Sequence, residues 1–219
     1  MPLPALLEEL GQTWKDLHPD WQYILWDDAA MEDFLRSNYA QYADTYHAYP
    51  YDAQRWDAIR YLILYKMGGL YVDMDYECFK RLDPLLDGHV CCMGLEPTEH
   101  ARQFKLPYIV GNALMAAIPG HRYFKMIIDA IFAVQEAPVS PVQYKPRYVI
   151  ETTGTLMTTR MYDAYPFKDE IALLPAEQIA PLTMEEVRSL IDGCETSDIE
   201  EKAEKAFAAH YFLGLWYPL

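Results

Sequence analysis

The chain has 219 residues, 52% of them hydrophobic and 23% charged, and 18 Lys and Arg against 33 Asp and Glu give a net charge of −15. This is ordinary globular composition and excludes a disordered chain. The acidity repels phosphate backbones and anionic lipid surfaces, which argues against a nucleic-acid binder.

No apolar run reaches the ~18–20 residues of a membrane span. The start, Met1-Pro2-Leu3-Pro4, has no positive region and no signal-peptide core. Cys78, Cys91, Cys92 and Cys194 show neither metal nor redox spacing, and adjacent Cys91 and Cys92 in an apolar stretch read as buried free thiols. A reducing cytoplasm fits them. The expected location is cytoplasmic, at most peripheral to a membrane.

In chain order, Leu6 to Leu17 reads as an amphipathic helix closed by His18-Pro19. Trp21 to Trp26 is rich in strand formers and is expected to be a strand. Asp27 and Asp28 offer an N-cap for a helix over Ala29 to Ser37. Tyr39 to Tyr51 is a loop or short helix whose tyrosines recur at threes and fours, the spacing of a packed helix face; a sugar-stacking surface is the other reading. Asp52 to Met67 is the clearest helix, stopped by Gly68-Gly69. Leu70 to Val72 is a short buried strand, and His89 to Gly94 and Asn112 to Ile118 are further strands. Gly120 and His121 open a helix running to about Gln135. Thr153 to Tyr165 and Thr183 to Ile191 read as helices. Glu195 to Lys205 is a charge run on a solvated face, and Ala206 to Trp216 returns to apolar and aromatic residues and ends in a strand. The alternation predicts one α/β domain over 1–219 with a largely parallel sheet, and places ligands at the carboxyl ends of its strands, just after Val72.

The chemistry sits at Gly68-Gly69-Leu70-Tyr71-Val72-Asp73-Met74-Asp75. A short strand ends in two carboxylates one residue apart, and alternation along an extended strand puts both on one side. Paired carboxylates repel unless a cation neutralises them, and oxygen ligands suit Mg²⁺ or Mn²⁺. A solvated Asp pair is the plain alternative. Upstream, Asp57 and Arg60 lie i, i+3 on the helix that feeds this strand. They are either a surface ion pair or a unit that binds ribose and phosphate.

The run from Arg55 to Asp75, with Asp57, Arg60-Tyr61 and Gly68-Gly69 ending in Asp73-Met74-Asp75, resembles the DXD sugar-transferase family. That family includes yeast initiating α-1,6-mannosyltransferases, capsular polysaccharide transferases and, more distantly, glucosylating clostridial toxins. His18-Pro19-Asp20-Trp21 with Leu25-Trp26-Asp27-Asp28, then Gly111-Asn112-Ala113, Pro119-Gly120-His121, Thr153-Gly154 and His210 with Trp216, resemble its further blocks. Trp56, Thr155 and Leu215 depart from the usual Ser, Pro and Ser. The family's opening strand has no counterpart before Leu6.

The resemblance implies a GT-A-like, Rossmann-like fold, with or without the family's first strand. It implies transfer of a sugar from a UDP- or GDP-sugar to a sugar, lipid or protein acceptor in polysaccharide or glycolipid synthesis, with retention at the anomeric carbon and Mn²⁺ or Mg²⁺ as cofactor. Carried over residue by residue, Asp75 is the metal ligand, and Asp73 contacts the metal, ribose and sugar. Asp57 and Arg60 contact ribose and donor sugar, with Arg60, Asp73 and Asp75 as the catalytic group. Asn112 contacts sugar. His210 is either a late metal or phosphate ligand or a satisfied histidine among aromatics; Trp216 either caps the nucleotide or packs in the core. A homo-oligomer stays open. The competing readings are an aspartate-nucleophile phosphatase, disfavoured because Tyr76 follows the motif and a long helix precedes it, and a degenerate, non-catalytic module that binds nucleotide-sugar or a partner.

Overall fold

The structure is a computed structural model that describes residues 4–133, 145–194 and 197–214. The helix α1 (Ala5–Leu17) turns its apolar stripe of Leu7, Leu10 and Trp14 inward. After α2 (Asp28–Tyr39) come a short 3₁₀ turn, α3 (Ala43–Ala48) and α4 (Asp52–Met67). The Asp27 carboxylate accepts from the Ala30 N–H, which is the cap its side chain promised. Next are β1 (Gly69–Val72), β2 (Tyr76–Cys78), α5 (Asp83–Leu86), β3 (Cys91–Leu95), α6 (Thr98–Gln103), β4 (Val110–Ala117) and α7 (Arg122–Phe132). The chain continues through α8 (Lys145–Thr152), α9 (Thr155–Ala164), β5 (Ala172–Leu174), α10 (Ala176–Ile179), α11 (Met184–Ile191), α12 (Ser197–Lys205) and β6 (Ala208–His210).

The α/β class stands, but the sheet is not largely parallel. Its order is β1-β4-β3-β5, and the one parallel pairing in it is β3 with β5; β4 pairs antiparallel with both β1 and β3. The β4 strand is reached from β3 through α6 and a loop and returns beside β3 in antiparallel register. A separate ribbon pairs β2 with β6, bringing Tyr76 opposite His210.

The four-stranded sheet is buried on both faces, and each strand splits its residues between two cores. Cys91 and Met93 pack with Tyr61, Leu62, Phe124 and Ile128 from α4 and α7. Cys92 packs on the other side with Trp14, Leu114 and Ile179. The adjacent cysteines are therefore buried on opposite faces, as a strand's period of two requires, and all four cysteines are free. Tyr39, Tyr46 and Tyr49 are buried in the first core and Tyr42 stacks on Phe132 at 4.4 Å, so that stretch is packing and not a sugar platform.

Trp21 to Trp26 corrects an expectation. It forms no strand, and Tyr23, Ile24 and Leu25 are exposed. Strand propensity needs a neighbouring edge to become a strand; Trp21 and Trp26 instead anchor the segment against the second and first cores respectively. Among the described residues no strand precedes Gly69, and β1 lies at a sheet edge. The α7 helix ends at Phe132; its expected extension to Gln135 lies outside the described residues. The charge run forms α12, with Ile199 buried and its acids solvated.

Gly68 sets how α4 hands over to β1. Its φ is +68°, and a Cβ there would meet Pro119 Cδ at 2.6 Å and the Ala117 carbonyl at 2.8 Å. Only glycine joins that backbone conformation to so close a crossing of β4's end.

Candidate functional site

The carboxyl ends of β1, β3 and β5 and the amino end of β4 share one edge of the sheet. Asp73 leaves β1 at that edge, its N–H donating to the Ala113 carbonyl at 2.8 Å. The strand has already ended there. The Tyr76 N–H closes a turn onto the Asp73 carbonyl at 3.2 Å, so it is this turn, and not strand alternation, that brings Asp73 and Asp75 together.

On one flank is a buried ionic network. Asp57 and Arg60 are each only 7% exposed, so they are not a surface pair. Arg60 Nη2 is 3.3 Å from Asp57 Oδ1, and Nη1 is 2.9 Å from Asp73 Oδ1. Nη1 also donates to the Asn112 carbonyl at 2.9 Å, and the guanidinium lies 4.8 Å from the Tyr71 ring centre. Asn112 Nδ2 donates to Asp57 Oδ1 at 2.8 Å and to the Tyr61 hydroxyl at 2.9 Å. Thr153 Oγ1 donates to Asp57 Oδ2 at 2.8 Å. Burial pushes the Asp57 carboxyl up to about 6, against the opposing pull of Arg60 and of the Thr153 and Asn112 hydrogen bonds. Burial opposes the Arg60 charge, yet Asp73, Tyr71 and Asp57 hold its pKa above the ordinary value.

On the other flank is an acid–imidazole cluster. Ligand atoms of Asp73, Asp75 and His210 lie within 4.8 Å of one another. Asp75 Oδ1 is 3.1 Å from His210 Nε2, and its Oδ2 accepts from the Leu213 N–H at 2.9 Å. The Tyr211 N–H donates to the Asp75 carbonyl at 2.9 Å, so residues 210–213 wrap this aspartate. Phe212 takes φ +45° to make that wrap, a left-handed conformation that a bulky side chain adopts only under constraint. Burial raises the Asp75 carboxyl, but His210 and the backbone donors bring it below the ordinary value. Burial lowers the His210 ring, but Asp75 brings it above its ordinary value. His210 also stacks on Tyr76, with centroids 4.5 Å apart and planes 10° from parallel. His210 therefore packs among aromatics while its ring faces Asp75.

Tyr71 and Arg60 both contact Asp73 at Oδ1, at 2.8 Å and 2.9 Å, which leaves Oδ2 for a further ligand. Two carboxylates and an imidazole, with only the far side of Asp73 neutralised by Arg60, form a donor set that fits a hard or borderline divalent cation.

The structure thus brings together Asp57, Arg60, Asp73, Asp75, Asn112 and His210. Trp216 and Leu215 lie outside the described residues. Trp56 lines a cavity of about 240 Å³ with Tyr46, His47, Asp52 and Arg55. Sequence reasoning missed the roles of Tyr71 and Thr153 and of the Leu213 backbone. Tyr71 carried a signal, since strand alternation puts it on the face opposite Leu70 and Val72, toward α4. A backbone donor such as Leu213 carries none.

Residues 4–91 match the family described as the glycosyltransferase sugar-binding region containing the DXD motif. Inositol phosphoceramide mannosyltransferase 2 of Schizosaccharomyces pombe is 36% identical over 142 residues, covering 58% of this chain and 38% of that protein. Inositol phosphoceramide mannosyltransferase 3 of the same yeast is 32% identical over 179 residues, covering 74% of this chain and 46% of its own length. The chain therefore spans less than half the length of these relatives. A solved structure, the PaToxG glycosyltransferase, superposes with a TM-score of 0.49 at 15% identity, covering 94% of this chain and 80% of that one.

Proposed function

We propose, from a chain that is a relative of the DXD-motif glycosyltransferases through residues 4–91, that it transfers a sugar, of which mannose is the first candidate, from a nucleotide-diphosphate donor to a hydroxyl acceptor with the help of a divalent cation. The observation that carries this is the convergence of Asp73, Asp75 and His210 at the end of β1, beside a buried Arg60. The two relatives named above are mannosyltransferases by name, and their acceptor is an inositol phosphoceramide. A glycolipid or polysaccharide acceptor follows for this chain by the same reading.

Asp73, Asp75 and His210 would hold Mn²⁺ or Mg²⁺, and the imidazole tilts the set toward Mn²⁺. Such a cation supplies charge to the leaving diphosphate as a Lewis acid. The remaining work falls to the chain. Arg60 fixes Asp73 from behind, so the carboxylate meets its ligand pre-oriented and no reorganisation is left for the reaction. Asp57, held by Asn112 and Thr153, offers the donor's hydroxyls an acceptor of fixed direction. In transfer, the acceptor oxygen bonds to the anomeric carbon as that carbon's bond to the diphosphate breaks. The electron pair leaves with the diphosphate, whose departing oxygen takes the acceptor's hydroxyl proton on the same face. Retention of configuration, by departure and attack on one face, completes the reading.

We further take the described residues to act as one transferase domain in a reducing, cytoplasmic compartment, on the strength of four free thiols. No helix among the described residues is long and apolar enough to cross a membrane.

The test is a panel of UDP- and GDP-sugars incubated with the chain and Mn²⁺, following release of the nucleoside diphosphate. One donor should turn over, and chelation should stop it. Binding without any turnover supports the non-catalytic module instead.

A further inference from the structure

Glu96 stands at the same sheet edge and belongs to neither flank described above. It follows β3 directly, and its N–H donates to the Ile109 carbonyl at 3.0 Å, which places it beside the amino end of β4. Gly111 leaves room for it: a Cβ on Gly111 would lie 3.5 Å from Glu96 Cγ, so Glu96 lies over the strand one residue from Asn112.

Its side chain is held in a directed way. The Met184 N–H donates to His100 Nε2 at 3.1 Å, so that nitrogen carries the lone pair and Nδ1 carries the proton. Nδ1 is 3.1 Å from Glu96 Oε2 and donates to it. His100 is 2% exposed, whereas the Glu96 side chain keeps 18% of its surface. One carboxylate oxygen is thus anchored from the interior by a buried neutral imidazole, and Oε1 is left for a partner outside. Phe212 bridges from this pair to the cation cluster: its ring is 4.8 Å from His100 and 4.0 Å from His210. The negative charge of Glu96 is felt at both His210 and Tyr76. Even so, Glu96 is not among the residues whose ligand atoms converge there.

A carboxylate near the cluster but outside it, with one oxygen fixed and the other open, suits hydroxyl recognition better than cation ligation. Asp57 and Arg60 occupy the α4 side of the edge, and Glu96 occupies the β3 side with Asn112 between them. Two polar partners are needed for the two substrates, and the α4 side and the β3 side of this edge each carry one.

We propose that Glu96 Oε1 accepts a hydrogen bond from the hydroxyl of the sugar or polyol acceptor and so binds it on the β3 side of the cation cluster, a role that rests on the transferase reading above.

The test uses the full chain with Mn²⁺ and GDP-mannose, and myo-inositol and methyl α-mannoside as acceptor probes. Donor hydrolysis without acceptor and transfer to each probe are both measured for the wild type, E96Q and E96D. Gln keeps an oxygen for the His100 N–H, so E96Q should retain the wild-type melting temperature. Its donor hydrolysis should stay within about twofold, while transfer falls tenfold or more through a raised acceptor KM. E96D, with the charge kept, should recover part of that loss. Equal transfer by E96Q and wild type overturns the role of Glu96 alone, and so does a parallel fall of hydrolysis and transfer. If the wild type neither hydrolyses nor transfers with GDP-mannose or the other donors of the panel, the transferase reading fails and the acceptor role falls with it.

Discussion

The two flanks of Asp73 differ in what they lack. The Asp57–Arg60–Asp73 flank carries its own cation: a buried guanidinium faces two carboxylates, and Asn112, Thr153 and Tyr71 fill the remaining hydrogen bonds. The Asp75–His210 flank has no permanent positive charge, only an imidazole that is a cation while it carries both protons and a neutral ligand once it gives one up. The first flank is therefore built to be rigid and the second to receive something. Asp73 belongs to both, and that shared residue is how a fixed framework can orient an exchangeable ion.

The comparison is broken most severely by removing the fixed charge. Arg60→Ala leaves the buried Asp57 and the partly exposed Asp73 without compensation, and stripping one partner from a buried pair costs about 3–5 kcal/mol. Chemical denaturation should show a loss of that size. Asp57→Asn with Arg60→Ala should cost much less than the sum of the single changes, because each single change strands the other's charge. Additive small losses would make the network incidental.

Asp75→Asn comes next. Because, against the effect of burial, His210 and the Leu213 N–H hold the Asp75 carboxyl below its ordinary value, this change should lower the melting temperature of the cation-free protein, but by less than Arg60→Ala does, and lower cation-dependent donor turnover on the order of 10²-fold or more, as loss of an electrostatic stabiliser does. The contrast with Arg60→Ala, stability on one flank and activity on the other, is the sharpest expression of the difference between them.

A third outcome concerns pH. The Asp57 carboxyl titrates in the folded protein at about 6, above the 3.8 of an ordinary aspartate. The folded state therefore holds a proton that the unfolded chain has released between these values. The stability this lends is full below about pH 4 and is lost as pH rises through about 6. The stability of the wild type relative to Asp57→Asn should decline across that window and level off above it. A flat difference would place Asp57 as an ordinary carboxylate.

The smallest effect is expected from Tyr71→Phe. It removes one hydrogen bond to a charged oxygen, worth about 1.5–3 kcal/mol at most and less in a half-buried setting. Calorimetric melting should fall by a few degrees, with turnover reduced modestly because Asp73 keeps Arg60.

The first flank was largely legible in the sequence. A helix with Asp57 and Arg60 one turn apart, a double-glycine stop and a short strand leading into Asp73 lie within twenty residues of one another. What local pattern could not supply was burial: the packing of α8, the Thr153 turn and β4 against α4 turns Asp57–Arg60 from a surface pair into a desolvated one. The second flank depends on contacts 135 and more residues apart, His210 and Leu213 onto Asp75, and one of these is a backbone donor with no sequence signature. Trp21 to Trp26 failed for the opposite reason. Its residues are strong strand formers, but strand formation requires a partner that no propensity encodes. The antiparallel β4 escaped notice because alternation of elements suggests crossovers, while the short α6 connection permits a return.

The central claim, that Asp73, Asp75 and His210 form a cation site on which a nucleoside diphosphate assembles, is tested most directly by electron paramagnetic resonance of free Mn²⁺. Titrating the chain into Mn²⁺ with GDP or UDP should deplete the free-ion signal of the wild type, with the diphosphate tightening the depletion, while Asp75→Asn leaves the signal at the level of nucleotide alone. Equal depletion by wild type and Asp75→Asn would contradict the account.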